Sequence, residues 1–284
     1  MAGSEADWRR LNRANWDERV SVHLGPRGYD LRALRAGRGR LRIVEPELGP
    51  VAGLRILHLQ CHIGTDSLAL AQRGAEVVGL DFSPAAIDAA RGLAAELGLS
   101  HQVRFVTADV YDALTAIPEP AAFDAVFVTW GTICWLPDIR AWARVVAQFL
   151  KPGGFFYFAE GHPAAQVFGD STGTGGWPGF FMPYLDRAPL IEADPNDYAD
   201  PEARLANATT HQWLHPLGDV ITALIEAGLP LDWLHEHDRV PWRMFHCLVQ
   251  DEAGLYCWPD QPWLPLAYSL RATRSPGSIP FTEG

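Results

Sequence analysis

The chain has 284 residues, 48% of them hydrophobic, enough for one large domain or a domain with an insertion. Its 34 acidic residues outnumber 23 basic ones, for a net charge of −11, which disfavours nucleic acid as a partner because no basic surplus exists to offset phosphates. No apolar run reaches the ~18 residues of a membrane span, so no membrane partner is expected, and the opening MAGSEADWRR has no signal-peptide core, which points to a cytoplasmic protein. The four cysteines form no C-x-x-C pair, so neither a zinc knuckle nor a disulfide framework is indicated.

Glu5–Val20 carries Trp8, Leu11, Trp16 and Val20 at near-helical spacing, predicting an amphipathic helix. Gly25-Pro26-Arg27-Gly28 breaks it, and a second helix is expected over Tyr29–Val44 despite Gly37 and Gly39. Arg32, Arg35, Arg38, Arg40 and Arg42 read as a solvated face of that helix. Residues 1–45 form either a packing arm or a lid in which Trp16 or Tyr29 closes a pocket.

A βα alternation then begins. Arg55–Leu59 is a short apolar strand, and Gly64 lies in the turn after it. Thr65 or Asp66 is placed to cap a helix that continues through Ser67–Gln72 and stops at Gly74. Glu76–Leu80 is a second strand, ending in Asp81. A carboxylate at that tip of a βαβ unit is placed to accept hydrogen bonds from a ribose diol. Ser83 and Pro84 start a helix over Ala85–Leu97, ended by Gly98, and Phe82 either lies beside a base or packs in the core. Val103–Ala108 is a third strand, ending at Asp109-Val110. Phe123–Thr129 is a fourth, with Thr129-Trp130-Gly131 at its carboxyl end. Asp138 caps a helix over Ala141–Leu150, and Lys151-Pro152-Gly153-Gly154 ends it before a fifth strand, Phe155–Ala159.

Residues 164–210 interrupt the alternation with Gly, Pro, Asp and aromatics. A loop of that length is usually functional or mobile. The segment 161–216 therefore reads as a substrate-recognition insertion, with Trp177, Phe180, Phe181 and Tyr184 available to line an apolar cavity. A helix over Leu217–Ala227 and strands over Leu231–His237 and Leu266–Ala272 complete the C-terminal segment 217–284, in which Trp242–Pro265 receives no assignment.

The turn Gln60-Cys61-His62-Ile63-Gly64-Thr65-Asp66 decides which nucleoside fits. A dinucleotide site wants G-x-G-x-x-G so that backbone can approach a pyrophosphate. Here Gly64 is the sole glycine, and Asp66 would set negative charge near a phosphate. That argues against NAD and suits a nucleoside without phosphate, such as S-adenosylmethionine (SAM).

On these residues the stretch Leu54–Pro84 resembles the first motifs of the class I SAM-dependent methyltransferases. His58 stands at the family's acid position, Gln60 and His62 at its first two glycine positions, and Gly64 matches the third, as in a bacterial small-molecule subgroup with an L-Q-C-H turn. Further likeness lies in the F-D-x-V opening at Phe123, in L-K-P-G-G at Leu150, and in Asn15-Trp16-Asp17-Glu18 with His23 and Tyr29. The resemblance implies an α/β fold: a doubly wound, seven-stranded Rossmann-like sheet with a helical arm, a SAM-binding core at 46–160 and a last strand inserted antiparallel. It further implies that Asp109 bonds the adenine amino group while Val110 packs on the ring. The expected cofactor-binding residues are Trp16, Tyr29, Gln60, Cys61, Gly64, Asp81, Phe82, Asp109, Val110, Thr129 and Trp130.

Methyl transfer needs a base only where the acceptor carries a proton that must leave. His162 and Glu160, directly after the fifth strand, and His211, four residues before His215, are the candidates. His58 reads as structural, and His62 as within reach of cofactor or substrate. No metal motif accompanies them. The expected partner is a small-molecule methyl acceptor. An NAD-type oxidoreductase and a non-catalytic SAM-binding protein are the competing readings.

Overall fold

The computed structural model describes residues 5–275; residues 1–4 and 276–284, which the outer segments 1–45 and 217–284 include, lie outside the described residues. The chain opens with helix α1 (Glu5–His23), whose Trp8 and Val20 are buried. The expected second helix is absent, replaced by two short pieces, α2 (Arg32–Arg35) and α3 (Val44–Leu48). Gly37 takes a left-handed φ of 70°. At Gly39 a Cβ would sit 2.8 Å from the Cβ of Ala69, so the chain there needs backbone contact rather than a helical surface.

Strand β1 (Arg55–Leu59) feeds α4 (Thr65–Gln72), β2 (Glu76–Asp81), α5 (Pro84–Glu96), β3 (Val103–Thr107), the short α6 (Ala113–Ala116), β4 (Phe123–Thr129), α7 (Ile139–Phe149) and β5 (Leu150–Gly161). These five strands pair in parallel, with both faces covered. Alternate residues therefore serve different cores, which is why the strands read as continuous apolar runs. Leu57, Val78, Val126 and Phe156 pack with Trp142 and Leu224 on one face. Ile56, Val77, Phe127 and Tyr157 pack with Leu68 and Ile87 on the other.

Beyond β5 lie two small hairpins, β6 (Phe168–Gly169) with β7 (Gly179–Phe180) and β8 (Leu190–Ala193) with β9 (Thr209–Gln212). Helix α8 (Leu217–Glu226) packs on α7, and β10 (Leu231–His237) follows. Three two-residue strands build a separate sheet, β11 (Arg239–Val240) with β12 (Val249–Gln250) and β13 (Tyr256–Cys257), the last two from the stretch the sequence left unassigned. The last strand, β14 (Ala267–Thr273), inserts between β5 and β10, antiparallel to both. The sheet order is β10-β14-β5-β4-β1-β2-β3. It reverses direction at β1 and β4, which opens a crevice at their carboxyl ends. No helix among the described residues is long and apolar enough to cross a membrane.

Two local expectations differ from the structure. Neither Thr65 nor Asp66 caps α4; the cap position is Gly64, and the Asp66 carboxylate instead accepts from Thr129 Oγ1 at 2.9 Å. The segment Lys151–Gly154 lies within β5, as a bulge where pairing slips from Phe123–Leu150 to Ala125–Phe155. Ser83 and Asp138 cap as expected, accepting from the Ala86 and Ala141 amides, and Asp109 caps the turn after β3, accepting from the Tyr111 amide.

Candidate active site

A cavity of about 590 Å³ opens at the carboxyl ends of β1, β2 and β4. That size suits a single drug-sized ligand, since such sites run ~300–1,000 Å³. Its floor is the turn after β1. Gln60 and His62 both adopt left-handed backbone there, at φ 56° and 49°, in the two places where glycine would be free of strain. The strain is held by specific bonds: Gln60 Nε2 donates to the Thr132 carbonyl at 2.9 Å, and the His62 amide donates to Asp81 Oδ2 at 2.8 Å. Asp81 Oδ1 accepts from the Ser83 amide at 2.9 Å. Burial pushes the Asp81 carboxyl up to about 6.

The far wall is the loop after β4. Trp130 and Gly131 take successive left-handed conformations, at φ 56° and 69°. Glu160, buried at the end of β5, organises this loop by accepting from the Gly131, Thr132 and Ile133 amides at 2.5, 2.7 and 3.3 Å. Its carboxylate also takes the Gly161 amide at 2.8 Å and the Thr132 hydroxyl at 3.1 Å.

The roof comes from both ends of the chain. Trp16 meets His62 and Trp135 edge-on, with ring centres 5.1 and 5.4 Å away, and Trp130 meets Trp242 at 5.8 Å. The tip of the insertion delivers Tyr198, whose hydroxyl bonds that of Tyr29. Beside it, buried Asp197 binds Arg19 Nη1 at 2.8 Å and His23 Nε2 at 3.2 Å. The His23 Nδ1 lies 2.7 Å from His62 Nε2. These bonds and those of Asn12 and Asn15 to the backbone of His211 and Asn207 bind α1 to the insertion.

Ten of the expected cofactor residues line the cavity: Trp16, Tyr29, Gln60, Cys61, Asp81, Phe82, Asp109, Val110, Thr129 and Trp130. Gly64 does not. Its φ of 74° is left-handed, and a Cβ there would lie 2.6 Å from the Phe105 ring, so it serves close packing beneath the turn. None of the three expected bases lines the cavity either. The Glu160 oxygens are occupied by the loop amides. His162 is buried, its Nδ1 accepting from the Ala164 amide at 3.1 Å and its Nε2 lying 3.1 Å from Glu236. His211 belongs to β9, where its backbone, not its ring, is engaged by Asn12. Trp177, Phe180, Phe181 and Tyr184 also lie away from the cavity; Trp177 stacks on Trp258 and lines a separate hollow of about 220 Å³.

The sequence reading missed the wall formed by Pro241–Met244 and the residues Trp8, Asp66, Trp135 and Tyr198. It also missed the contact of His62 with His23. A histidine at a glycine position was the available signal for His62; nothing local marks the others.

Three buried polar atoms on cavity-lining residues have no partner among the described residues: Trp8 Nε1, Gln60 Oε1 and His62 Nδ1. A buried polar atom left alone costs ~1–3 kcal/mol, so these groups fit a polar ligand that satisfies them. The chemistry fits an adenosyl sulfonium: a carboxylate for a diol, aromatic faces for a cation, and no glycine cradle for pyrophosphate.

The fold and this crevice define a nucleoside-binding α/β protein of the Rossmann-like class. A family model described as a methyltransferase domain matches residues 56–154. Over that stretch the chain carries a methyltransferase domain similar to those of the class I SAM-dependent enzymes. It is 31% identical over 120 residues to a ubiquinone biosynthesis O-methyltransferase of Leptothrix cholodnii, covering 42% of this chain and 49% of that one. It is 37% identical over 114 residues to a demethylmenaquinone methyltransferase of Clavibacter sepedonicus, covering 40% and 43%. The chain thus spans about half the length of the curated relatives it matches. An SAM-dependent methyltransferase structure from Mesorhizobium loti superimposes with a TM-score of 0.55 at 22% identity, over 85% of this chain and 96% of that one, a likeness of fold.

Proposed function

We propose that the protein transfers the methyl group of SAM to an O, N or C atom of a small molecule held in the aromatic, enclosed cavity. The observation that carries this reading is the buried carboxylate of Asp81 at the tip of β2, beside a turn whose Gln60 and His62 side chains replace a phosphate cradle. In this reading Asp81 holds the ribose diol. Asp109, although it already caps the turn at Tyr111, faces the adenine with Val110 and Phe82. Arg40 and Arg42, exposed on the rim and not ion-paired among the described residues, face the carboxylate of the methionine tail.

The donor supplies an activated methyl group, so the protein's work is alignment and exclusion of water. Trp16, Tyr29, Trp130, Trp135 and Trp242 wall the cavity, and Asp197 fastens the insertion over it. The region 161–216 then selects the acceptor together with Pro241–Met244. The relatives' names, which refer to ubiquinone and demethylmenaquinone, favour a small-molecule acceptor over nucleic acid or protein.

Calorimetric titration with SAM and with NAD, followed by turnover of methyl-labelled SAM against a metabolite panel, tests the reading. Binding of NAD in preference to SAM overturns it. Binding of SAM with no transfer to any acceptor favours a non-catalytic SAM-binding protein.

A further inference from the structure

The buried chain Asp197–His23–His62 joins three parts of the sequence that no local pattern links. Asp197 is held ionised: its carboxyl is drawn down to about 2, against its burial, by His23, the Ala199 amide and Arg19. With His23 neutral, the hydrogen bonds then run in one direction along the chain. An ionised Asp197 accepts from His23 Nε2–H at 3.2 Å. The neutral His23 ring then presents a lone pair at Nδ1, which accepts from His62 Nε2–H at 2.7 Å. The remaining His62 nitrogen, Nδ1, is left as a lone pair. It is one of the three buried atoms without a partner on residues that line the cavity.

We propose that His62 takes the proton of the methyl acceptor, a hydroxyl or amine whose proton must leave, and that His23 and Asp197 are positioning residues that hold its Nδ1 lone pair ready. This rests on the methyl-transfer reading. As the acceptor's oxygen or nitrogen bonds to the methyl carbon, the carbon–sulfur bond breaks and its electron pair returns to sulfur, leaving a neutral thioether. The acceptor's proton passes to His62 Nδ1. The Nε2 proton of the resulting imidazolium is shared toward His23, whose other nitrogen faces the Asp197 carboxylate, and the balance closes when one proton leaves to water.

The arrangement resembles in logic a serine protease triad, where a carboxylate orients a histidine and stabilises its cation; here a second imidazole is interposed. Burial lowers His62 to about 3, with His23 and Arg19 adding to the effect and Asp197 opposing it. Burial thus keeps the ring neutral in the resting protein. The cation becomes accessible through the shared proton and the anion behind it. The ionisable groups around His62 are His23 and Arg19 from α1, Tyr29 after it, Asp81 at the end of β2, and Asp197 and Tyr198 from the insertion.

Two measurements test this on the full chain. The first is long-range ¹H–¹⁵N spectroscopy of the histidine rings at neutral pH, with S-adenosylhomocysteine as the bound probe. His62 and His23 are expected as Nε2–H tautomers with both Nδ1 atoms unprotonated, and Asp197→Asn is expected to mix the tautomers. A proton on His62 Nδ1 overturns the proposal. The second is His62→Asn, a residue that tolerates left-handed backbone, assayed on phenols of graded acidity with labelled SAM. Turnover is expected to fall about 10²-fold or more, with the deficit shrinking as the phenol becomes more acidic or the pH rises. S-adenosylhomocysteine affinity is expected to fall by less than turnover does, under tenfold. A deficit independent of phenol acidity, or a tenfold loss of S-adenosylhomocysteine affinity with turnover intact at saturating SAM, overturns it. Failure of the wild-type chain to bind S-adenosylhomocysteine brings down the methyl-transfer reading itself, and the proposal with it.

Discussion

Removing the Glu160 carboxylate separates a structural role from a catalytic one. In Glu160→Ala the amides of Gly131, Thr132 and Gly161, bonded at 2.5 to 2.8 Å, lose their acceptor in a buried setting. Each buried donor left alone costs ~1–3 kcal/mol. Burial already pushes the carboxyl above its ordinary value, against the pull of those amides, so part of the gain is offset. A loss of roughly 3–6 kcal/mol follows for three donors. That is a large share of the ~5–15 kcal/mol typical of a folded domain. Glu160→Gln keeps one acceptor oxygen but turns an NH₂ group toward amide donors, and is expected to lose about 1–3 kcal/mol. Urea unfolding measures both. SAM affinity should fall in Glu160→Ala as the Trp130–Ile133 wall loosens. An alanine variant within about 1 kcal/mol of wild type, folded yet inactive, would refute the structural assignment and restore Glu160 as a base.

Asp81→Ala is expected to weaken SAM binding by about 1–3 kcal/mol, read by calorimetry. In the wild type the same affinity should fall as pH drops through about 6, where burial leaves Asp81 protonated, and level off above it. The sign for folding is opposite: a raised carboxyl pKa contributes stability in full below its ordinary 3.8 and loses it as pH rises through about 6. Gly64→Ala should destabilise by about 2–4 kcal/mol in a thermal melt, from a left-handed φ and a Cβ forced against Phe105; an unchanged melting temperature would contradict the packing role. His162→Ala should leave SAM affinity and turnover near wild type, because the ring lies outside the cavity; a large fall in turnover would reinstate it.

The strands were legible because a parallel sheet buried on both faces writes itself as apolar runs between turn residues, and Arg55–Leu59 and Phe123–Thr129 fall where those runs stand. The helical arm was legible only as far as α1. Past it, Gly37 turns the backbone left-handed and Gly39 touches Ala69, which splits the expected helix although Leu34, Leu41, Val44 and Leu48 keep helical spacing. Proximity to the end of β5 made Glu160 and His162 look catalytic. The alternation of a strand sends neighbouring side chains to opposite sides, and position along the chain does not say which side the cavity occupies. The contacts of His23 with Asp197 and His62 span 174 and 39 residues, beyond any local pattern. What the sequence did display was a broken rule. Gln60 and His62 occupy glycine positions and pay for it with left-handed backbone, about 1–3 kcal/mol each. Strain of that kind persists where surrounding structure over-determines it. Here the Thr132 carbonyl, the Asp81 carboxylate and the His23 ring supply the restraint. The glycine-poor turn that argues against a phosphate ligand is therefore the same feature that carries an imidazole into the cavity.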